Sequence, residues 1–136
     1  MVEVRPFAPA DLDAVVALCA AEDWPSFPED PPRALRALTA PGVTTVVAVE
    51  GSAVIGFAQL LSDGEIQAHL SLIAVSLDHR RKGVALAMLR EALARAGGLR
   101  IDLVTDTAPE FYQALPHRRL DGFRIYPQMA KTDGGG

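Results

Sequence analysis

The densest chemistry in the chain lies in one turn, Asp78-His79-Arg80-Arg81-Lys82-Gly83-Val84-Ala85. Three cations run into a glycine and then into residues of helical pattern. A helix start presents unpaired backbone N–H groups with partial positive charge, so cations are least favoured there. The triplet is locally costly unless an anion is held at that corner. Gly83 carries no side chain to obstruct a ligand reaching those amides. The chemistry implied is anion binding, phosphate above all. The turn is neither of two familiar phosphate loops. It lacks the long glycine spacing before a Lys-Ser/Thr pair, and it has one glycine where a dinucleotide fingerprint needs three.

A second pattern precedes it. Glu65, Gln67, His69 and Ser71 alternate with Ile66, Leu70 and Leu72. On a strand such residues project to opposite faces, and the polar face is expected to border a cavity. An imidazole there titrates near neutrality and can take a proton. Cys19 falls on the apolar stripe of a helical segment and reads as a small core residue rather than a nucleophile. As the only cysteine it excludes an internal disulfide and a thiolate-rich zinc site. His69, His79 and His117 stand in no helical His-x-x-x-His pairing, so no metal site is expected, and the last two lie in turns without a role.

The elements that must position these groups follow from periodicity. Val2–Phe7 reads as a strand, and Asp11 caps a helix with Leu12, Val15, Val16 and Cys19 on one stripe. The proline-broken stretch Asp23–Pro32 is expected to be irregular before a short helix near Arg33–Thr39. Val43–Val49, Ala53–Leu61 and Glu65–Val75 read as an antiparallel meander, with a possible bulge at Gly56 and a hairpin turn at Asp63-Gly64. Gly83–Ala96 is helical, with Leu86, Leu89 and Leu93 inward, and Gly97-Gly98 ends it. A strand over Leu99–Thr105, a helix near Pro109–Leu115 and strand material in Phe123–Ala130 complete the order. The fold class expected is α/β (α+β), a mixed, mostly antiparallel central sheet flanked by helices.

At 136 residues and 49% hydrophobic, the chain reads as one domain over residues 1–133 with a loose tail at 134–136. A net charge of −4 disfavours nucleic-acid binding. Apolar runs are too short to span a bilayer, and the first residues lack a signal-peptide pattern, so no membrane partner and a cytoplasmic location are expected.

Arg80-Arg81-Lys82-Gly83-Val84-Ala85 resembles the Arg/Gln-x-x-Gly-x-Gly/Ala signature of the GNAT superfamily of acyl-coenzyme A-dependent N-acyltransferases. Ile73-Ala74-Val75 stands where that family's preceding strand ends. Phe111-Tyr112-Gln113-Ala114-Leu115 is similar to its second motif, Phe-Tyr-x-x-Leu-Gly-Phe, with Pro116-His117 in place of Gly-Phe. Gly122-Phe123 is the other equivalent, but Pro116 argues against prolonging the helix that far. The element order agrees with the family along nearly the whole chain.

The resemblance implies an N-acetyltransferase that uses acetyl-CoA as co-substrate, with a small-molecule primary amine as acceptor and a homodimer as a possible assembly. A protein N-terminus or lysine is the alternative acceptor, and a non-catalytic acyl-CoA sensor the alternative from another class. It implies that the backbone of Ile73, Ala74 and Val75 pairs with pantetheine as an added strand would. N–H groups from Arg81 through Lys82, Gly83, Val84, Ala85 and Leu86 would cradle the pyrophosphate, with Arg80 or Lys82 reaching a phosphate. The Ile73 N–H, or that of Val75, would stabilise the oxyanion, and Tyr112 would protonate the leaving thiolate. His69 stands where some members place a base, with Glu65 in reserve. Trp24 and Phe27 fall where the family builds its acceptor lid, with Glu22 or Asp23 to meet an ammonium.

Overall fold

A computed structural model describes residues 1–105 and 109–128. The end of the expected last strand, at 129–130, and the expected tail at 134–136 lie outside the described residues. The chain divides into two units, Met1–Leu103 and the remainder from Val104.

In the first unit five strands form one sheet in sequence order: β1 (Val2–Pro6), β2 (Val43–Glu50), β3 (Ala53–Ser62), β4 (Gln67–Val75) and β5 (Arg100–Asp102). The first four pair antiparallel, and β5 runs parallel to β4. β-Branched residues dominate β2 because a pleated, buried surface suits their stiff side chains. The hairpin between β3 and β4 is longer than Asp63-Gly64 alone predicts. Asp63 Oδ1 accepts the N–H groups of Glu65 and Ile66, both at 2.8 Å, and of Gln67 at 3.3 Å. These donors hold the Asp63 carboxyl below its ordinary pKa. Glu65 and Ile66 therefore belong to the turn, not to the strand as expected.

Register partners assign the two faces. Val47, Phe57 and Ala74 lie opposite one another and pack with Val15, Leu18, Cys19 and Leu38. Those last four come from α1 (Leu12–Ala21) and α3 (Pro31–Leu38). On the other face Ala48, Gly56 and Val75 align. A Cβ at Gly56 would stand 3.0 Å from the Ala74 carbonyl oxygen and 3.1 Å from Met88 Cε. This close approach seats α4 (Val84–Ala96), whose buried residues are Val84, Met88, Leu89 and Ala92. The expected stripe of Leu86, Leu89 and Leu93 is thus rotated, with Leu86 and Leu93 only half-buried, because the tight gap above Gly56 takes the flexible Met88. The predicted bulge falls one residue before Gly56, at Ile55, where the register with β2 shifts.

Two helix starts differ from expectation. Asp11 is not a side-chain cap for α1. Its carboxylate takes Arg5 in two bonds of 2.8 and 2.9 Å and the Ala8 N–H at 2.8 Å. The stretch expected to be irregular contains α2 (Ser26–Glu29), and α3 starts at Pro31. Proline suits a first helical turn, whose N–H groups have no partner to lose, and Asp30 caps it by accepting the Arg33 N–H at 3.2 Å.

The strand expected over Leu99–Thr105 shortens to Arg100–Asp102. In the second unit α5 (Pro109–Gln113) forms, and residues 123–126 of the expected last strand make none. Phe123 and Ile125 are 87% and 77% exposed, so this segment has no apolar face buried to hold it as a strand. Among the described residues, no helix is long and apolar enough to cross a membrane, and no group of three or more His, Cys, Asp or Glu is placed to hold a metal ion.

Candidate active site

The pairing of β4 with β5 runs over Gln67–Arg100, Ala68–Ile101 and His69–Asp102, and there it stops. From Leu70 to Val75, β4 has no strand beside it on that side among the described residues. Buried backbone groups require partners, so an unpaired stretch along a strand is a place where another extended chain can bind. Ile73, Ala74 and Val75 lie on this stretch, with Ala74 buried and its neighbours half-buried.

β4 leads through a single 3₁₀ turn, Leu77–His79, into the basic corner. His79 pins that turn. Its Nδ1 lies 2.6 Å from Ser76 Oγ and its Nε2 lies 3.1 Å from Glu50 Oε1. The imidazole holds the Glu50 carboxyl below its ordinary pKa. His79, assigned nothing from sequence, is thus a clamp on the corner. Arg80 Nε donates to the Val75 carbonyl at 3.1 Å, and its guanidinium pairs with Glu22 at the end of α1. Glu22, one of the two carboxylates (with Asp23) expected to meet an ammonium, is therefore committed within the chain. Arg81 and Gly83 both adopt positive φ, 61° and 79°. A Cβ added at Gly83 would meet nothing within 4 Å, so the α4 start is unobstructed. Arg81 and Lys82 are exposed, Val84 anchors the helix in the core, and Ala85 and Leu86 are half-buried.

A cavity of about 410 Å³ opens on the α1–α3 face of the sheet. Trp24 and Phe27 bound it on the helical side, and Gln59, Leu61, Ser71 and Leu72 on the sheet side. Its shape follows from a second β-bulge. Gln59 pairs with Leu72 and Leu60 with Leu70, so Ser71 is an extra residue. Side chains on paired residues share a face. His69, opposite Leu61, therefore shares the cavity face with Leu72, which strict alternation had set against it. Trp24 and Phe27, expected from the resemblance at an acceptor lid, both line the cavity. His69 is exposed beside it and is not part of its wall, and Glu65 lies away in the turn.

On the sheet side of the cavity, Ser71 belongs to the polar face expected to border one, whereas Gln59 is a polar group that sequence reasoning did not single out. Gln59 had a signal, a lone carboxamide in the apolar run Ile55–Leu61. Cys19 also lines the cavity, and burial pushes its thiol up to about 11, so the nucleophilic thiolate is scarce at neutral pH. In the second unit, Tyr112 packs edge-on against Phe111 with ring centroids 4.9 Å apart. Burial pushes its phenol above its ordinary pKa, keeping it protonated.

The model of the acetyltransferase (GNAT) domain family matches residues 41–115, more than half of the chain. The chain belongs to the GNAT acetyltransferase family, whose enzymes use acetyl-CoA. No curated protein matches it in sequence. Among solved structures it is similar to aminoglycoside N-acetyltransferase AAC(6')-Iy in complex with CoA, at TM-score 0.77 and 19% identity over 93% of each chain. It is similar to a ribosomal-protein-alanine N-acetyltransferase from Brucella melitensis biovar Abortus, at TM-score 0.71 and 19% identity over 93% of this chain and 99% of that one. A putative acetyltransferase from Agrobacterium tumefaciens gives TM-score 0.75 and 22% identity over 91% and 99%. At such identities the likeness is one of fold, and the mixed sheet with flanking helices agrees with it.

Proposed function

We propose that this acetyltransferase acylates the primary amine of a small molecule. The observation that carries the reading is the open stretch of β4 running straight into an unobstructed, basic helix start. These residues fit acetyl-CoA: an extended amide chain suits the bare edge at Ile73–Val75, and a diphosphate suits the N–H groups from Arg81 to Leu86. Bound there, the thioester supplies the acetyl group. The nitrogen–carbonyl bond forms as the carbon–sulfur bond breaks, and the proton lost by the amine is matched by one gained at sulfur.

The chain's own groups supply the rest. The Ile73 N–H, or that of Val75, donates toward developing negative charge on oxygen. His69, exposed on the cavity face with an imidazole free of hydrogen bonds among the described residues, takes the amine's proton directly or through water. Glu65, in the hairpin turn, is the more remote base. Tyr112, kept protonated by burial, donates to sulfur. Arg80 is engaged by Glu22 and the Val75 carbonyl, so Lys82 is the freer cation for a phosphate. Trp24 and Phe27 cover the acceptor.

Acetyl-CoA at saturation raises the melting midpoint, because a ligand that binds only the folded state must stabilise it. Thiol release with added amines then distinguishes an enzyme from a coenzyme sensor. An unchanged midpoint overturns the coenzyme site. A raised midpoint without thiol release from amines or peptides overturns the enzymatic reading.

A further inference from the structure

We infer that the cavity selects an apolar primary monoamine, an amine on an aromatic or branched hydrocarbon body, held by an N–H bond to Gln59 Oε1. This deepens the amine-acylation reading above and rests on it. Gln59 is only 5% exposed, and its Nε2 donates to the Ala37 carbonyl at 3.2 Å. That bond fixes which way the amide faces. Among the described residues Oε1 has no hydrogen-bond partner, yet no buried side-chain nitrogen or oxygen atom goes unpartnered. Oε1 is therefore open to the cavity that Gln59 lines. A carboxamide oxygen there accepts an N–H and leaves the nitrogen lone pair free for attack.

The remaining walls choose the body. Trp24, Phe27, Leu61 and Leu72 are apolar, and none of the lining side chains carries a charge. Of the two carboxylates just before Trp24, Glu22 is taken by Arg80, and Asp23 is exposed and does not line the cavity. A polyamine or aminoglycoside would have to shed the hydration of several ammonium groups with nothing to pair them, a heavy cost. A monoamine enters neutral, which is also its nucleophilic form. About 410 Å³ sits near the small end of ligand pockets, matching a compact amine.

Trp24 is the only tryptophan and lines the cavity, so its fluorescence reports occupancy without any turnover. Titration of the full chain with phenylethylamine gives a saturable change, and spermidine or an alanine-initiated peptide binds at least about tenfold more weakly, the factor lost with one good interaction. Gln59→Leu weakens phenylethylamine by about tenfold while acetyl-CoA still raises the melting midpoint. Should that variant not fold, the selectivity of the unaltered chain remains the test. Equal or tighter binding of spermidine or the peptide, or no response at Trp24, overturns the inference. A saturable Trp24 response without thiol release overturns acyl transfer but not the cavity's selectivity. Thiol release with spermidine alone does the reverse.

Discussion

Asp11 shows what one buried carboxylate can hold. Arg5, first through its hydrogen bonds and then through charge, with help from the Ala8 N–H, keeps its pKa below the ordinary value. A folded-state pKa below the unfolded one means the stabilisation is complete above the unfolded pKa and fades as pH falls through the folded one. Asp11→Asn should therefore cost about 1–3 kcal/mol at neutral pH. In urea unfolding, the gap from the unaltered protein should close in acid. His69→Ala belongs to the same scale: the rate of thiol release should fall at neutral pH and recover in part at alkaline pH, where free amine is abundant. An unchanged pH–rate profile removes His69 as the base. The basic corner, Trp24 and Phe27 were legible because their types announce charge and aromatic cover. The Glu22–Arg80 pair was not, since residue type does not say which of two nearby carboxylates a cation will find across 58 positions.

Two glycines separate structural from ligand-directed roles at the scale of the elements. Gly97, at the end of α4, has φ 75°, and a Cβ there would stand 2.7 Å from the Gly64 carbonyl oxygen, a backbone atom that cannot swing away. Gly83 has φ 79° but open space around it. Gly97→Ala should cost roughly 2–3 kcal/mol, and Gly83→Ala only about 1, from backbone conformation alone. The ranking should invert when acetyl-CoA is added, with the thermal shift diminished in Gly83→Ala and preserved in Gly97→Ala. Strand and helix periodicity revealed β2, β3 and most of α4. It was blind to the extra residue at Ser71, because a bulge interrupts the alternation on which such reading relies. The face of His69 was therefore assigned against the wrong neighbours, Leu72 above all.

For the whole molecule, the mixed sheet and its helices on both faces were legible from element order, since a meander followed by strand–helix–strand leaves few ways to cover the sheet. The final strand was not, because Phe123-Arg124-Ile125-Tyr126 alternates like a strand yet buries no apolar face and pairs with no strand among the described residues. Length and charge bounded the class without naming a reaction. The two motifs, together with the family match over residues 41–115, supplied that.

The ladder that ends at His69–Asp102 carries a cost for the protein on its own. Half a strand without a neighbour is adhesive toward any extended peptide, including the same stretch in another molecule. Concentrated protein kept without coenzyme should self-associate through this seam, seen as light scattering that climbs with time. Acetyl-CoA at saturation should quiet it, making the co-substrate a protective sleeve between turnovers as well as a reagent.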